Sequence, residues 1–345
     1  MTNVQFAPES VHLPALLASK RSSAYRAGDF SVWQQAARAR LVALLGWNQP
    51  PGYLNIRVEY DRPHEVGARE RRIVFTSESG ADVPCVLLTP IDSPTPPPVM
   101  ICIQGHSPGM LVSMGRWEDE NGRFWAQDAE QDFALQAVRN GFAALTIEMR
   151  CFGERLDQRP ADQNTFGKSC HHASMNALLL GRTMIGERVF DITRAIDMLE
   201  YMGDDAGIDI DRIGIVGCSG GGMITFYATC VEPRIKAAMP ICYVCTFEGC
   251  IGTLDHCACN YIPGLAAEFD MPDLAGLIAP APIVIVAGEE DPIFLIDGVR
   301  AAYKTVEALY DAAGEPDACQ LVVGPGGHRQ YADIAWPAFH DITGW

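Results

Sequence analysis

A chain of 345 residues, 48% of them apolar, can bury an ample core in one large α/β domain or two smaller ones and is too apolar to be disordered. Its 43 acidic and 26 basic residues leave a formal charge of −17, which argues against a nucleic-acid or anionic-membrane surface, since both need clustered Lys and Arg. Met1 to Ser10 lacks the basic and apolar regions of a signal peptide, no apolar run approaches membrane-spanning length, and the 12 cysteines are scattered through apolar segments. Free thiols, a cytoplasmic location and no contact with membrane or nucleic acid are therefore expected.

Residues 1 to 70 read as an N-terminal extension packed on the main domain. Within it, Val32, Ala36, Leu41, Leu44 and Leu45 recur at helical spacing and predict a helix over Ser31 to Trp47, ended by Pro50-Pro51. A helical extension of this kind makes a homo-oligomer plausible. Asn55 to Tyr60 and Arg71 to Thr76 alternate like strands, and Cys85 to Leu88 follows a turn, giving an antiparallel start to a sheet.

From residue 71 to 345 the pattern is that of a catalytic α/β domain. Val99 to Gln104 is a continuous apolar strand, Asp128 to Asn140 a helix, Ala143 to Ile147 a strand and Ile185 to Gly203 an amphipathic helix. Ile235 to Cys242, Pro282 to Ala287 and Gln320 to Val323 are further strands, with a helix over Gly298 to Ala313. Buried strands alternating with helices imply a mostly parallel sheet with helices on both faces. Two irregular insertions, near 150–181 and 246–276, follow strand ends, where open α/β sheets bind ligands, and are lid candidates.

The chemistry centres on Gly217-Cys218-Ser219-Gly220-Gly221, which lies between the apolar run Ile213 to Val216 and a helix beginning near Met223. Strand, sharp turn and helix around G-x-S-x-G form a nucleophile elbow, and a Cβ at Gly217 or Gly221 would collide where strand and helix close. The plain alternative is a Gly-rich turn that cradles a phosphate or only reverses the chain.

A serine hydroxyl needs a base and an acid that orients it, following in the order Ser, Asp or Glu, His. Of the eight histidines, His328 alone follows both the elbow and a core strand and sits in a glycine turn, Gly324-Pro325-Gly326-Gly327. For the acid, Asp291 in Gly288-Glu289-Glu290-Asp291-Pro292 is preferred, with Asp255 as the alternative. The oxyanion donors are expected to be the backbone N–H groups of Gly220 and His106. Cys242, Cys245, Cys250, Cys257 and Cys259 with His256 suggest zinc. However, Cys242 lies on an apolar strand and the second pair is Cys-x-Cys, so no metal and no cofactor is expected.

With these residues placed, the chain resembles the α/β-hydrolase superfamily, in its branch of acetyl xylan esterase-like and dienelactone hydrolase-like proteins. The resemblance rests on Gly217 to Gly222, Arg150-Cys151-Phe152-Gly153-Glu154-Arg155, His256 to Gly264 and Gly288 to Pro292, and covers about residues 70 to 335. It implies the triad Ser219, Asp291 and His328 without a metal. Gln104-Gly105 departs from the His-Gly that many members carry in the oxyanion loop. Arg150, Arg155 and His256 are the candidate substrate-binding residues. For the arginines the alternative is an ion pair with Glu148 or Glu154 that orders the loop.

The function expected is hydrolysis of a small carboxylic ester, such as an acetylated sugar, through an acyl-enzyme. A peptidase or carbon–carbon bond hydrolase using the same triad, and a non-catalytic binding protein that keeps the fold, are the alternatives.

Overall fold

The computed structural model describes residues 7–47, 50–156 and 166–345. Helix α1 (Glu9–Leu17) leads to α2 (Phe30–Leu45), whose start is fixed by Asp29: its carboxylate accepts from the N–H groups of Ser31 and Val32. Gly46, at φ 67°, ends α2 where a Cβ would strike the backbone of residues 181 and 182.

Three antiparallel strands follow, β1 (Arg57–His64), β2 (Ala68–Glu78) and β3 (Ala81–Pro90), then β4 (Pro98–Ile103). Residues 57–70, grouped in the sequence reading with the extension, are thus mostly strand residues of the sheet. A single turn α3 (Glu120–Arg123) precedes α4 (Phe133–Arg139) and β5 (Ala143–Ile147). The helix expected over 128–140 begins only at Phe133, because Glu130 takes φ 53° and interrupts it.

Next come α5 (Phe166–Leu179), α6 (Met184–Met202), β6 (Asp209–Cys218), α7 (Gly220–Val231) and β7 (Ile235–Ile241). The one-turn α8 (Leu265–Glu268), β8 (Ile283–Gly288), α9 (Ile296–Ala312), β9 (Cys319–Gly324) and α10 (Ala332–Thr343) complete the chain.

Among the described residues nine strands form one sheet in the order β1-β2-β3-β5-β4-β6-β7-β8-β9. Pairing is antiparallel from β1 to β5 and parallel from β5 to β9. Side-chain alternation divides each central strand between two cores. On β4, Val99, Ile101 and Ile103 join the core under α2, α6, α7 and α9, whereas Met100 and Cys102 join the core under α4 and α10. Ile283 and Ile285 against Val284 and Val286 repeat the division on β8. A strand buried on both faces reads as a continuous apolar run, which is why these strands are legible in the sequence.

The N-terminal α2 covers one face through specific bonds. Gln34 Nε2 donates to the carbonyls of Gly276 and Ala279 at 2.8 and 2.6 Å, and Arg38 to those of Cys230 and Leu277 at 3.0 and 2.6 Å. The insertion near 246–276 is a packed wall, with Cys250, Ile251, Ile262, Leu265 and Phe269 in the core. Asp270 anchors it, accepting from the N–H of Phe247 at 2.8 Å and pairing with Arg21 at 2.7 Å. Part of the other insertion, 157–165, lies outside the described residues. Among the described residues no helix is long and apolar enough to cross a membrane.

Candidate active site

Strand β6 ends at Cys218 and α7 begins at Gly220, so Ser219 alone makes the turn, at φ 57° and ψ −118°. This region is disfavoured for any residue with a Cβ, and strain of this kind persists where the surroundings over-determine it. The surroundings here are two close approaches. A Cβ on Gly217 would lie 2.6 Å from the Gly221 carbonyl carbon, and one on Gly221 would strike the Ile103 carbonyl oxygen at the end of β4. The Ser219 N–H donates to Ile241 of β7 at 2.9 Å, and its carbonyl accepts from Met223 at 2.8 Å. The serine is thereby lifted above the sheet and left partly exposed.

Asp291 follows β8 and His328 follows β9, two neighbouring strands of the parallel half. The structure brings them together: His328 Nδ1 and Asp291 Oδ2 are 2.7 Å apart. The other carboxylate oxygen accepts from the N–H groups of Ile293 and Phe294 at 2.9 and 3.1 Å, which fixes the carboxylate plane. Nδ1 is therefore the protonated nitrogen and Nε2 the one left to act as a base. Burial opposes the imidazolium, but the bond to Asp291, with the neighbouring Cys218 and the aspartate charge, holds the His328 pKa above 6.5. Burial likewise opposes ionised Asp291, and His328 with the two N–H donors holds its pKa below 3.8.

Residues that sequence reasoning missed hold this pair in place. Phe294 stacks on the His328 ring at 5.9 Å and 16°. Glu130, the residue that interrupts the helix, accepts from the Ala332 N–H at 2.9 Å and pairs with Arg329, so it clamps the loop that carries His328. Its positive φ has no signature in the sequence.

The first turn of α7 leaves the Gly220 N–H without an intrahelical acceptor. The loop after β4 packs directly on it, since a Cβ at Gly220 would meet His106 Nδ1 at 2.6 Å and one at Gly105 would meet the Ser219 Cβ at 3.5 Å. Gln104 supports this loop, its amide donating to Glu148 Oε1 at 3.0 Å. Glu148 also accepts from the Met110 N–H at 3.1 Å, and burial pushes its pKa up to about 7. Beside the loop a cleft of 290 Å³ is lined in part by Pro108, Gly109, Trp117, Glu148 and Gly153.

His256 lies on the far side of Phe294, with ring centroids 5.1 Å apart, and burial lowers its pKa, so it is a neutral ring at the edge of the site. Asp255, the alternative acid, is exposed. Arg150 and Arg155 are engaged by carboxylates. Arg150 pairs with Glu78 at 2.8 Å, Glu187 at 2.9 Å and Asp191 at 2.8 Å, and Arg155 pairs with Asp191 at 2.8 Å. Arg182 closes the network on Glu78 and Glu187 at 2.6 and 3.0 Å, so three cations meet three carboxylates. The partners differ from the Glu148 and Glu154 considered in the sequence because β2 and α6 bring their acids in from outside the loop. Arg150→Ala is expected to lower stability by about 3–5 kcal/mol, because only Arg155 and Arg182 then remain for three largely buried carboxylates. A denaturation midpoint measures it; an unchanged midpoint with a raised KM would instead restore the substrate role.

The structure also assembles a cluster that shares only Cys257 and Cys259 with the set considered in the sequence. His106, Cys170, Cys257 and Cys259 converge, whereas Cys242 lies instead beside Asp291 and His328.

A nine-stranded mostly parallel sheet with helices on both faces and a strained serine between β6 and α7 defines the α/β-hydrolase fold. The chain belongs to the Abhydrolase family, which matches residues 17–321. It is 28% identical over 315 residues to "Putative hydrolase YtaP" of Bacillus subtilis strain 168, covering 89% of this chain and 98% of that one. A putative acetyl xylan esterase from Bacteroides fragilis NCTC 9343 superposes with a TM-score of 0.73 at 19% identity, over 98% of this chain and 86% of that chain. A glucuronoyl esterase from Solibacter usitatus does so with a TM-score of 0.68 at 15% identity, over 95% and 96%. These likenesses establish the fold.

Proposed function

We propose that the protein is a serine hydrolase that cleaves a small carboxylic ester through an acyl-enzyme. The observation that carries this reading is Ser219 at φ 57° on the elbow, with the bonded Asp291–His328 pair at the ends of β8 and β9. His328 Nε2 takes the Ser219 proton as Oγ attacks the acyl carbon, and returns it to the departing alcohol. The N–H groups of Gly220 and His106 receive the oxyanion. Water then repeats the sequence on the acyl-enzyme with His328 again as base.

An ester, and an acetylated sugar in particular, is favoured because the similar structures are named acetyl xylan, glucuronoyl and methyl esterases. The cytoplasmic location belongs to the same proposal; none of the twelve cysteines is joined in a disulfide.

Turnover of acetyl esters of graded chain length and alcohol, set against an aminoacyl amide, tests the reading. Acetyl ester hydrolysis that far exceeds amide hydrolysis is expected; the reverse order would make the protein a peptidase. Because only neutral His328 accepts a proton, kcat/KM is expected to rise with pH on an acid limb whose midpoint lies above 6.5.

A further inference from the structure

The geometry points to a structural zinc site formed by His106, Cys170, Cys257 and Cys259 beside the oxyanion loop. Three thiols and an imidazole are a donor set for zinc or a similarly thiophilic divalent ion, and four protein ligands close the coordination sphere. The ligand atoms all lie within 4.8 Å of one another, with Cys170 Sγ 3.3 Å from Cys257 Sγ and His106 Nε2 3.3 Å from Cys259 Sγ. Zinc–sulfur and zinc–nitrogen bonds of about 2.3 and 2.0 Å place tetrahedral ligands roughly 3.4–3.8 Å apart. The cluster therefore needs only small side-chain shifts to close on an ion.

Charge supports the assignment independently. A dication with three thiolates and a neutral imidazole carries one net negative charge, which is costly to bury unpaired. Arg188, 1% exposed, supplies the opposite charge: its Nη2 is 3.3 Å from Cys170 Sγ and also donates to the Arg150 carbonyl at 2.9 Å, and its guanidinium lies over the Phe152 ring. Its Nε and Nη1 have no hydrogen-bond partner among the described residues. With the ion in place the assembly is neutral.

The ligands come from three places: the loop after β4, helix α5 and the wall after β7. An ion held by all three ties α5 and the wall to the loop that packs on Gly220. Because no position is open to water or substrate, the ion acts through the fold and not on the ester. Its consequence for the oxyanion donor His106 rests on the proposed hydrolase mechanism, whereas metal content does not.

Elemental analysis of the reduced full-length protein, purified without chelator, tests the site. About one zinc per chain is expected, released by a mercurial thiol reagent. Cys257→Ser and Cys170→Ser are expected to lose most of it, while Cys319→Ser, outside the cluster, retains it. Where a variant does not fold, cobalt(II) added to chelator-stripped parent protein is expected to give thiolate charge-transfer and tetrahedral ligand-field bands. Less than about a tenth of an ion per chain, before and after zinc is added to reduced protein, would overturn the assignment. So would an intact mass showing a disulfide within Cys170, Cys257 and Cys259 in protein purified without reductant.

Discussion

Ser219→Ala is expected to lower kcat on a short-chain p-nitrophenyl ester by about a millionfold while leaving the folded protein as stable as its parent. The size follows from what remains. Without the nucleophile neither His328 nor Asp291 has a role, and only the oxyanion donors and substrate binding act, which together give about 10³–10⁴ over water. Stability is unchanged because the strain at φ 57° is borne by the backbone and Cβ, both of which alanine keeps. Steady-state turnover of the ester and a melting curve on the same preparation measure the two quantities. Retention of most activity would remove Ser219 from the chemistry.

Asp291→Asn is the second large effect, expected at about 10⁴ in kcat. Asparagine can still accept from the Ile293 and Phe294 N–H groups, so the loop survives. If its amide nitrogen replaces Oδ2, it donates toward His328 Nδ1, which moves the ring proton to Nε2 and leaves that nitrogen unable to accept the serine proton. The acid limb of kcat/KM is also expected to move to lower pH, since burial, which opposes the imidazolium, is no longer outweighed. A rate loss with an unmoved limb would mean that Asp291 does not set the His328 pKa.

The same pair shapes stability against pH. The contribution from Asp291, whose pKa is lowered, is present above the ordinary 3.8 and lost as pH falls through its native value. The contribution from His328, whose pKa is raised, is present below 6.5 and lost as pH rises through its native value. The pair therefore stabilises most between the two.

How much was legible depends on whether the controlling contacts are local. The strand–turn–helix around Ser219 is local: apolar Ile213 to Val216, then glycines where β4 and α7 close on the turn, as the overlaps at Gly217 and Gly221 show. The strands buried on both faces announced themselves as apolar runs. For the arginines the ion-pair alternative was legible but its partners were not, because Glu78, Glu187 and Asp191 belong to β2 and α6 and nothing in Arg150 to Arg155 names them.

The cysteine cluster was hidden for the same reason. Cys170 meets Cys257 across 87 residues and His106 meets Cys259 across 153, so spacing along the chain grouped Cys257 and Cys259 with Cys242, Cys245, Cys250 and His256 and left out His106 and Cys170. Phe294 and Glu130 are ordinary residue types whose position alone gives them a role at His328.

The most direct test of the central claim is covalent. Native protein treated with a fluorophosphonate, digested and mapped by tandem mass spectrometry is predicted to carry one adduct, on Ser219, with none formed in Ser219→Ala. An unlabelled native protein, or an adduct on another residue that persists in the variant, would contradict the account.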